Sequence, residues 1–143
     1  MSTVIIEPVG FRMLPALNEL NRAFWTGGAN GQLLIQRCAA CRRWVHPPTS
    51  ACPTCEGPVR PEPVSGRGSV YTFTVNAHQF HPEVDPPNLI AIVQLDEQDD
   101  LRIMTNIVGC DPGAVRCGLP VQVLFERHDE VFYPLFAPDG GEA

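Results

Sequence analysis

The sequence predicts a mainly β protein that joins a short N-terminal helix, a small zinc-binding module and a five-stranded barrel. Two Cys-x-x-Cys pairs occupy residues 38–55, and segments rich in β-branched and aromatic residues follow Gly68. The 12 glycines and 15 prolines among 143 residues disfavour long helices. A hydrophobic content of 44% is sufficient for a real core, in one ordinary domain or two very small ones.

The charged residues exclude several catalytic mechanisms. All ten basic residues are arginine, which removes Schiff-base lysines, phosphate-loop lysines and Ser-Lys pairs. The formal net charge of -6 is unevenly distributed, because residues 37–67 carry +3 and residues 83–143 carry -9. An acidic chain is not a general nucleic-acid coat. The arginine-rich stretch remains suited to binding an anion locally.

The two cysteine pairs predict a structural zinc site. Cys38 and Cys41 are followed after ten residues by Cys52 and Cys55. This spacing is typical of a tetrahedral Zn(Cys)4 site in a rubredoxin-like zinc ribbon, which we place at residues 33–63. Four protein ligands leave no coordination position for water or substrate, so we expect the zinc to stabilise the fold and not to catalyse a reaction.

Three other residues are candidates for metal or thiol chemistry. His46 lies between the cysteine pairs and is a spare ligand candidate, but we expect it to be a surface or packing residue. Cys110 and Cys117 stand apart from the pairs, and we expect them to be small buried apolar side chains. A catalytic thiol would need an identifiable base, and the sequence does not point to one.

The N-terminal segment, residues 1–32, is predicted to contain one helix. Apolar residues recur there at helical spacing: Leu14, Leu17, Leu20, Phe24 and Trp25. Pro15 suits a first helical turn and Gly27-Gly28 end the run, so we expect a helix near residues 14–26 whose apolar stripe packs into the core. A short strand at Leu33 to Ile35 then leads into the first cysteine.

The remainder of the chain, residues 64–143, predicts a small barrel with a C-terminal tail. A stiff, proline-rich extended connection at residues 56–66 precedes it. Five segments have strand character: residues 69–75, 88–95, 101–108, 120–126 and 131–136. A polar hairpin turn separates the second and third, and a capped helical turn near Asp111 follows the third. Five strands with this insert predict a closed Greek-key barrel of the OB type.

No complete catalytic constellation is found in the sequence. The loop of residues 78–87 contains His78 and His81, which we interpret as exposed loop histidines on a contact surface. Motifs for serine hydrolases and phosphate loops are absent from the sequence. No run of about 18 apolar residues or signal-peptide pattern occurs, so we expect a cytoplasmic protein with reduced thiols that does not enter a membrane.

An ordered series of motifs resembles the zinc-ribbon/OB-fold family of acyl-CoA-associated accessory proteins. The series comprises Phe24-Trp25-x-Gly27-Gly28, Gly31-Gln32-Leu33-Leu34-Ile35-Gln36-Arg37-Cys38, Cys41, Pro47-Pro48, Cys52-Pro53-x-Cys55 and Ser65-Gly66-Arg67-Gly68-Ser69-Val70-Tyr71-x-Phe73-Thr74. The match covers roughly residues 14–136. One departure is Thr49, where many members of the family carry arginine after the two prolines.

The resemblance implies a non-catalytic subunit that binds and supports a thiolase-superfamily enzyme. Partners in such a hetero-oligomer are acyl-CoA thiolases or the retro-aldolases that cleave steroid side chains, and the subunit can form part of the CoA channel. Candidates for the CoA phosphates are Arg37, Arg42, Arg43 and Arg67, and candidates for adenine stacking are Trp44 and Tyr71. The alternative for these arginines is that they are solvated or pair with the acidic barrel.

A second function class is a single-stranded nucleic-acid-binding protein, since zinc ribbons and OB folds commonly bind single strands. The charge of -9 on the barrel half opposes it. An independent CoA-dependent enzyme is a third and weaker option, because no catalytic constellation supports it.

Overall fold

The strands and helices are described for residues 4–8, 12–79, 81–84 and 86–139 of a computed structural model, and they confirm the mainly β fold class. The strands are β1 (Ile5–Ile6), β2 (Leu33–Cys38), β3 (Trp44–Val45), β4 (Val59–Val64), β5 (Arg67–Asn76), β6 (Asn88–Leu95), β7 (Arg102–Thr105), β8 (Pro120–His128) and β9 (Val131–Pro138). One α-helix, α1 (Arg22–Thr26), and two 3-10 turns, Gly27–Asn30 and Pro112–Ala114, accompany them. None of the helices described is long and apolar enough to cross a membrane.

The N-terminal helix is shorter than the prediction of residues 14–26, which is wrong for the part that precedes α1. The side-chain oxygen of Asn18 accepts the backbone N–H groups of Leu20 and Asn21, each at 2.9 Å. Such local side-chain bonds compete with a helical ladder, so the helix starts after them. Of the five residues in the predicted apolar stripe, Phe24 alone is buried.

The ribbon is a three-stranded sheet in the order β3-β2-β4. The proline-rich stretch, predicted as a stiff extended connection, is strand β4 and runs antiparallel to β2. Pro61 lies opposite Gln36 and Pro63 lies opposite Leu34. Because the two prolines are two residues apart, the positions of their missing N–H groups lie on the same side of the strand. Strand β4 is at the edge of the sheet, so this side can be the one without a neighbouring strand. Pairing with β2 on the other side is therefore retained.

The barrel strands hydrogen-bond in the order β7-β6-β5-β8-β9, which confirms the five-stranded Greek-key prediction. A parallel bridge between Ile107 and Phe136 closes the ring from β7 back to β9. The backbone N–H of Val108 donates to the Phe136 carbonyl at 2.8 Å, and the Phe136 N–H donates to the Asn106 carbonyl at 3.2 Å. Closure protects strand edges that would otherwise pair with other chains.

Strand β1 extends this sheet and is not indicated by the sequence pattern. It runs parallel to β8 at Phe125 and Glu126, and the Phe125 N–H donates to the Val4 carbonyl at 3.0 Å. Strand β5 pairs only with residues 120–122 of β8. The rest of that edge of β8 is thereby available to β1, so the N-terminal segment is part of the barrel structure.

One hydrophobic core joins the helix, the ribbon and the barrel. Its buried members come from all three parts: Phe24, Leu33, Ile35, Trp44, Val70, Val93, Leu95, Val121, Phe125 and Phe136 among others. A Cβ on Gly28 would lie 2.5 Å from the Phe132 Cβ and 2.6 Å from a Phe125 ring carbon, so only glycine fits at this contact. The division into segments 1–32, 33–63 and 64–143 stays a prediction about how the chain is organised.

Candidate metal centre and the ribbon–barrel junction

The two cysteine pairs form two matching turns. In the first, the Arg42 N–H donates to the Cys38 carbonyl at 3.0 Å, and in the second the Glu56 N–H donates to the Cys52 carbonyl at 2.8 Å. The residue after each pair is in the left-handed region, with φ of 65° at Arg42 and 64° at Glu56. This conformation is uncommon for residues other than glycine, and the sequence does not reveal it.

The two turns bring the four cysteine sulfurs together. The Sγ atoms of Cys38 and Cys55 are 3.4 Å apart, and those of Cys41 and Cys52 are 3.8 Å apart. All four Sγ atoms lie within 4.8 Å of one another. A tetrahedral zinc with Zn–S bonds of about 2.3 Å needs sulfurs about 3.8 Å apart. The cysteines therefore fit a structural zinc ion, as predicted.

Backbone N–H groups prepare these sulfurs for a cation. The Cys41 N–H, 3.3 Å from the Cys38 Sγ, lowers the pKa of Cys38 to about 6, although burial opposes the shift. The backbone N–H of Cys55 likewise lowers the pKa of Cys52. The Gly57 N–H favours the thiolate of Cys55, but the neighbouring sulfurs of Cys38 and Cys41 outweigh it and raise the pKa of Cys55 to about 11. A Zn²⁺ ion held by these four cysteines would supply the charge that stabilises all four thiolates.

The three other candidates for metal or thiol chemistry take no part in this cluster. His46 is the packing residue expected: its ring centre is 4.9 Å from that of Phe24, and burial lowers its pKa to about 4, so it is neutral. Cys110 packs against the core, partly buried. The prediction that Cys117 is buried is wrong. A tight turn, in which the Leu119 N–H donates to the Arg116 carbonyl, directs this part of the chain to the surface.

Three of the four ribbon arginines, Arg37, Arg42 and Arg43, are paired with acidic residues. The Arg37 guanidinium lies 4.5 Å from the centre of the Trp44 ring and 3.7 Å from the Glu62 carboxylate. The Arg42 guanidinium is 3.5 Å from the same carboxylate. Arg43 contacts Asp100 on the barrel. These exposed or half-exposed pairs are weak, and an anion that binds here has to compete with them.

The other candidate CoA residues lie on strand β5. Arg67 and Tyr71 are exposed, and the Arg102 guanidinium stacks 3.8 Å from the centre of the Tyr71 ring. Trp44 is only 8% exposed. Across the part of the chain that is described, no hydrogen bond, ion pair or ring contact joins Arg67 or Tyr71 to the ribbon arginines. The structure thus brings Arg37, Arg42 and Trp44 together on the ribbon. Arg67 and Tyr71 on β5 have no described contact with them.

Gln98 adds a pair of hydrogen bonds between the barrel and the ribbon. Gln98 lies in the hairpin between β6 and β7, and its carboxamide binds the backbone of Trp44 on β3. The Trp44 N–H donates to the Gln98 Oε1 at 2.9 Å, and the Gln98 Nε2 donates to the Trp44 carbonyl at 3.0 Å. The side chain therefore occupies the place of a neighbouring strand. The sequence shows it only as a polar turn residue.

A buried ionic network anchors the N-terminal segment and is also missed by the sequence. Glu126 is 3% exposed. Its carboxylate accepts the Arg12 Nε at 2.6 Å and lies 2.7 Å from the His128 Nε2, and an Arg12 terminal nitrogen donates to the Asn106 side chain at 2.9 Å. Burial alone would raise the pKa of Glu126, but the hydrogen bonds from His128 and Arg12 outweigh it and lower that pKa.

Two family models match the chain. The rubredoxin-like zinc ribbon domain of ChsH2 matches residues 25–59, and the C-terminal OB-fold domain of ChsH2 matches residues 61–126. The chain belongs to the ChsH2 family. This confirms the predicted resemblance. A chain of a solved structure, the Ltp2-ChsH2(DUF35) aldolase, is similar with a TM-score of 0.76 and 38% identity. The match covers 87% of this chain and 98% of that one.

Curated relatives of the chain have names that refer to hydratases. A probable enoyl-CoA hydratase alpha subunit of Thermomonospora curvata is 39% identical over 136 residues, which are 92% of this chain and 41% of the relative. The 3-oxo-4,17-pregnadiene-20-carboxyl-CoA hydratase alpha subunit of Mycobacterium tuberculosis is 33% identical over 114 residues, 79% of this chain and 36% of the relative. The chain thus spans about two fifths of the length of these relatives.

Proposed function

We propose that this chain is a non-catalytic accessory subunit that binds and supports a thiolase-superfamily enzyme. The observation that carries the proposal is the similarity to a chain of the Ltp2-ChsH2(DUF35) aldolase, of which 98% is covered. Relatives named as hydratase alpha subunits contain the same module within longer chains. A module that occurs with both hydratases and an aldolase does not itself specify one reaction.

The chemistry of the described residues supports this role. Four cysteines would fill the coordination sphere of a zinc ion, which would then offer no open position for substrate activation. The buried carboxylate of Glu126, paired with His128, is also bonded to Arg12, which leaves it poorly suited to accept a proton from a substrate. Catalysis is therefore assigned to the partner.

We further propose that CoA, shared with the partner, contacts the arginine-rich side of this chain. The CoA phosphates would bind Arg37, Arg42, Arg43 and Arg67. The pairings of the first three with Glu62 and Asp100 are exposed enough to be exchanged for phosphate. Of the two aromatic candidates, Tyr71 is 49% exposed and Trp44 only 8%, so Tyr71 is the better adenine platform.

The partner's reaction is proposed from the same comparisons. The aldolase and the pregnadiene-carboxyl-CoA hydratase subunit among the similar proteins support a retro-aldolase of steroid side-chain degradation. An acyl-CoA thiolase is the other partner that the family resemblance implies. We place the complex in the cytoplasm, because reduced thiols are required for four cysteines to bind zinc.

Co-expression with a thiolase-superfamily enzyme tests the proposal. We expect the zinc-loaded chain to co-purify with that enzyme at a fixed stoichiometry in sedimentation experiments. Neither thiolase nor retro-aldolase turnover is expected from the isolated chain. A Cys117→Ser variant should keep its zinc and co-purify as the unaltered chain does, because that cysteine is exposed and outside the metal cluster.

Two outcomes would contradict the proposal. The first is turnover by the isolated, metal-verified chain. The second is tight, salt-sensitive binding of single-stranded DNA without binding of the enzyme, which would favour the nucleic-acid reading.

A further inference from the structure

A cleft of about 400 Å³ lies where the N-terminal segment, the ribbon and the barrel meet. The N-terminal segment contributes Arg12, Phe24 and Trp25, and the ribbon contributes His46. The barrel supplies the remaining wall from β6, β7 and β9 and includes Met104, Asn106 and Tyr133. Junctions of this kind are frequent binding sites, because several structural units present side chains to one space.

The cleft presents a neutral, mainly apolar surface. Arg12 carries the single formal charge among its described lining residues, and this charge is compensated by Glu126 at 2.6 Å. Burial keeps His46 neutral by lowering its pKa to about 4. Burial likewise raises the pKa of Tyr133, which stays protonated and donates its hydroxyl to the Met13 carbonyl. An occupant that brings an ionised group would leave that group without a partner.

Exposed methionines stand on both sides of the cleft. Met104 on β7 lines the cleft and is 72% exposed. Met13, whose backbone carbonyl accepts the hydroxyl of the lining residue Tyr133, is 76% exposed. Met104 lies directly opposite Ile92 on β6, whose side chain is on the same outer face. Leu14, next to Met13, is 49% exposed. An apolar surface thus continues from the cleft in two directions, and methionines adapt readily to the shape of a contacting surface.

We propose that this cleft receives a protruding apolar side chain of the partner enzyme and forms the centre of the interface with it. The inference rests on the proposed function. Strong protein interfaces have a central desolvated pocket that is filled by an anchoring residue and surrounded by contacts that exclude water. The cleft supplies the pocket, and the methionine-bearing surfaces on either side supply the surrounding contacts. The compensated charge of Arg12 indicates that the partner's matching surface is uncharged.

Affinity of the co-expressed thiolase-superfamily enzyme for variants of the full chain tests the inference. We expect Met104→Glu to weaken binding by at least about tenfold, because Met104 lines the cleft and the partner would desolvate an unpaired carboxylate there. Met104→Leu should bind as the unaltered chain does. Val4→Glu is the matched control, since Val4 is 58% exposed and does not line the cleft, and its affinity should stay within about twofold.

Thermal melts of each isolated variant separate a loss of binding from a loss of folding. Met104 is highly exposed, so an unchanged melt is expected for Met104→Glu. Unaltered affinity of that variant would overturn the inference while leaving the accessory role intact. Binding of a fatty acyl-CoA by the isolated chain, abolished by Met104→Glu, would also overturn it and identify a small-ligand pocket. No binding of the enzyme by the unaltered chain would instead remove the proposed function.

Discussion

Loss of zinc should unfold the barrel together with the ribbon. The reason is the shared core, in which the ribbon side chains Leu33, Ile35 and Trp44 are 1%, 1% and 8% exposed. Burial of each contributes about 2 kcal/mol, or about 6 kcal/mol for the three. Domains of this size are stable by only about 5–15 kcal/mol. A ribbon that unfolds therefore removes much of the stability of the barrel.

The assay compares the unaltered chain, the chain after treatment with a chelator, and Cys52→Ser. Zinc content, far-ultraviolet circular dichroism and tryptophan fluorescence are followed during heating. We expect Cys52→Ser and the chelated chain to lose zinc and to lose the barrel transition with it, whereas Cys117→Ser keeps both. If the circular dichroism signal of a zinc-free chain melts at the original temperature, the barrel folds independently of the ribbon, and the expected loss of the barrel with zinc is wrong.

Three further substitutions test the contacts that join the parts of the chain. Gly28→Ala should destabilise the fold by about 1–3 kcal/mol, because its Cβ would lie 2.5 Å from Phe132; Gly113→Ala, with its nearest neighbour at 3.5 Å, should be nearly neutral in the same thermal melts. Gln98→Ala should cost about 1–3 kcal/mol in denaturant titrations, since it leaves the Trp44 backbone groups unpaired. Glu126→Gln should weaken the acid dependence of stability. The pKa of Glu126 is lowered in the fold, so its contribution is complete above about pH 4.3 and is lost as the pH falls through the folded value.

Each of these has a clear contrary result. Equal melting temperatures for the two glycine variants would show that the contact between the N-terminal segment and the barrel can relax. A Gln98→Ala chain as stable as the unaltered one would mean that water replaces the carboxamide. If Glu126→Gln keeps the full loss of stability below about pH 4, other carboxylates cause it.

The sequence predicts those parts of the fold that depend on local patterns. The spacing of Cys38, Cys41, Cys52 and Cys55 specifies the metal cluster, since each pair forms its own turn. The barrel strands follow from alternation of side chains, and the turn after Asp111 follows from its capping oxygen, which accepts the Gly113 N–H at 2.9 Å.

Features that depend on distant contacts could not be predicted. Arg12 meets Glu126 across 114 positions of the chain, and Gln98 meets Trp44 across 54. No local periodicity encodes such pairs. The two-residue strand β1 forms only because β5 leaves part of the edge of β8 unpaired. The helix prediction failed for a local reason, since it counted apolar spacing and ignored the competing bonds of the Asn18 side chain two and three residues along the chain.

Turnover measured with the isolated chain, the isolated partner and the reconstituted complex distinguishes a supporting subunit from an enzyme. We expect no thiolase or retro-aldolase activity from the zinc-loaded chain by itself, and higher or more stable activity of the partner when the two form a complex. Turnover by the isolated chain would contradict the account, as would a partner that neither binds the chain nor changes its activity when the chain is added.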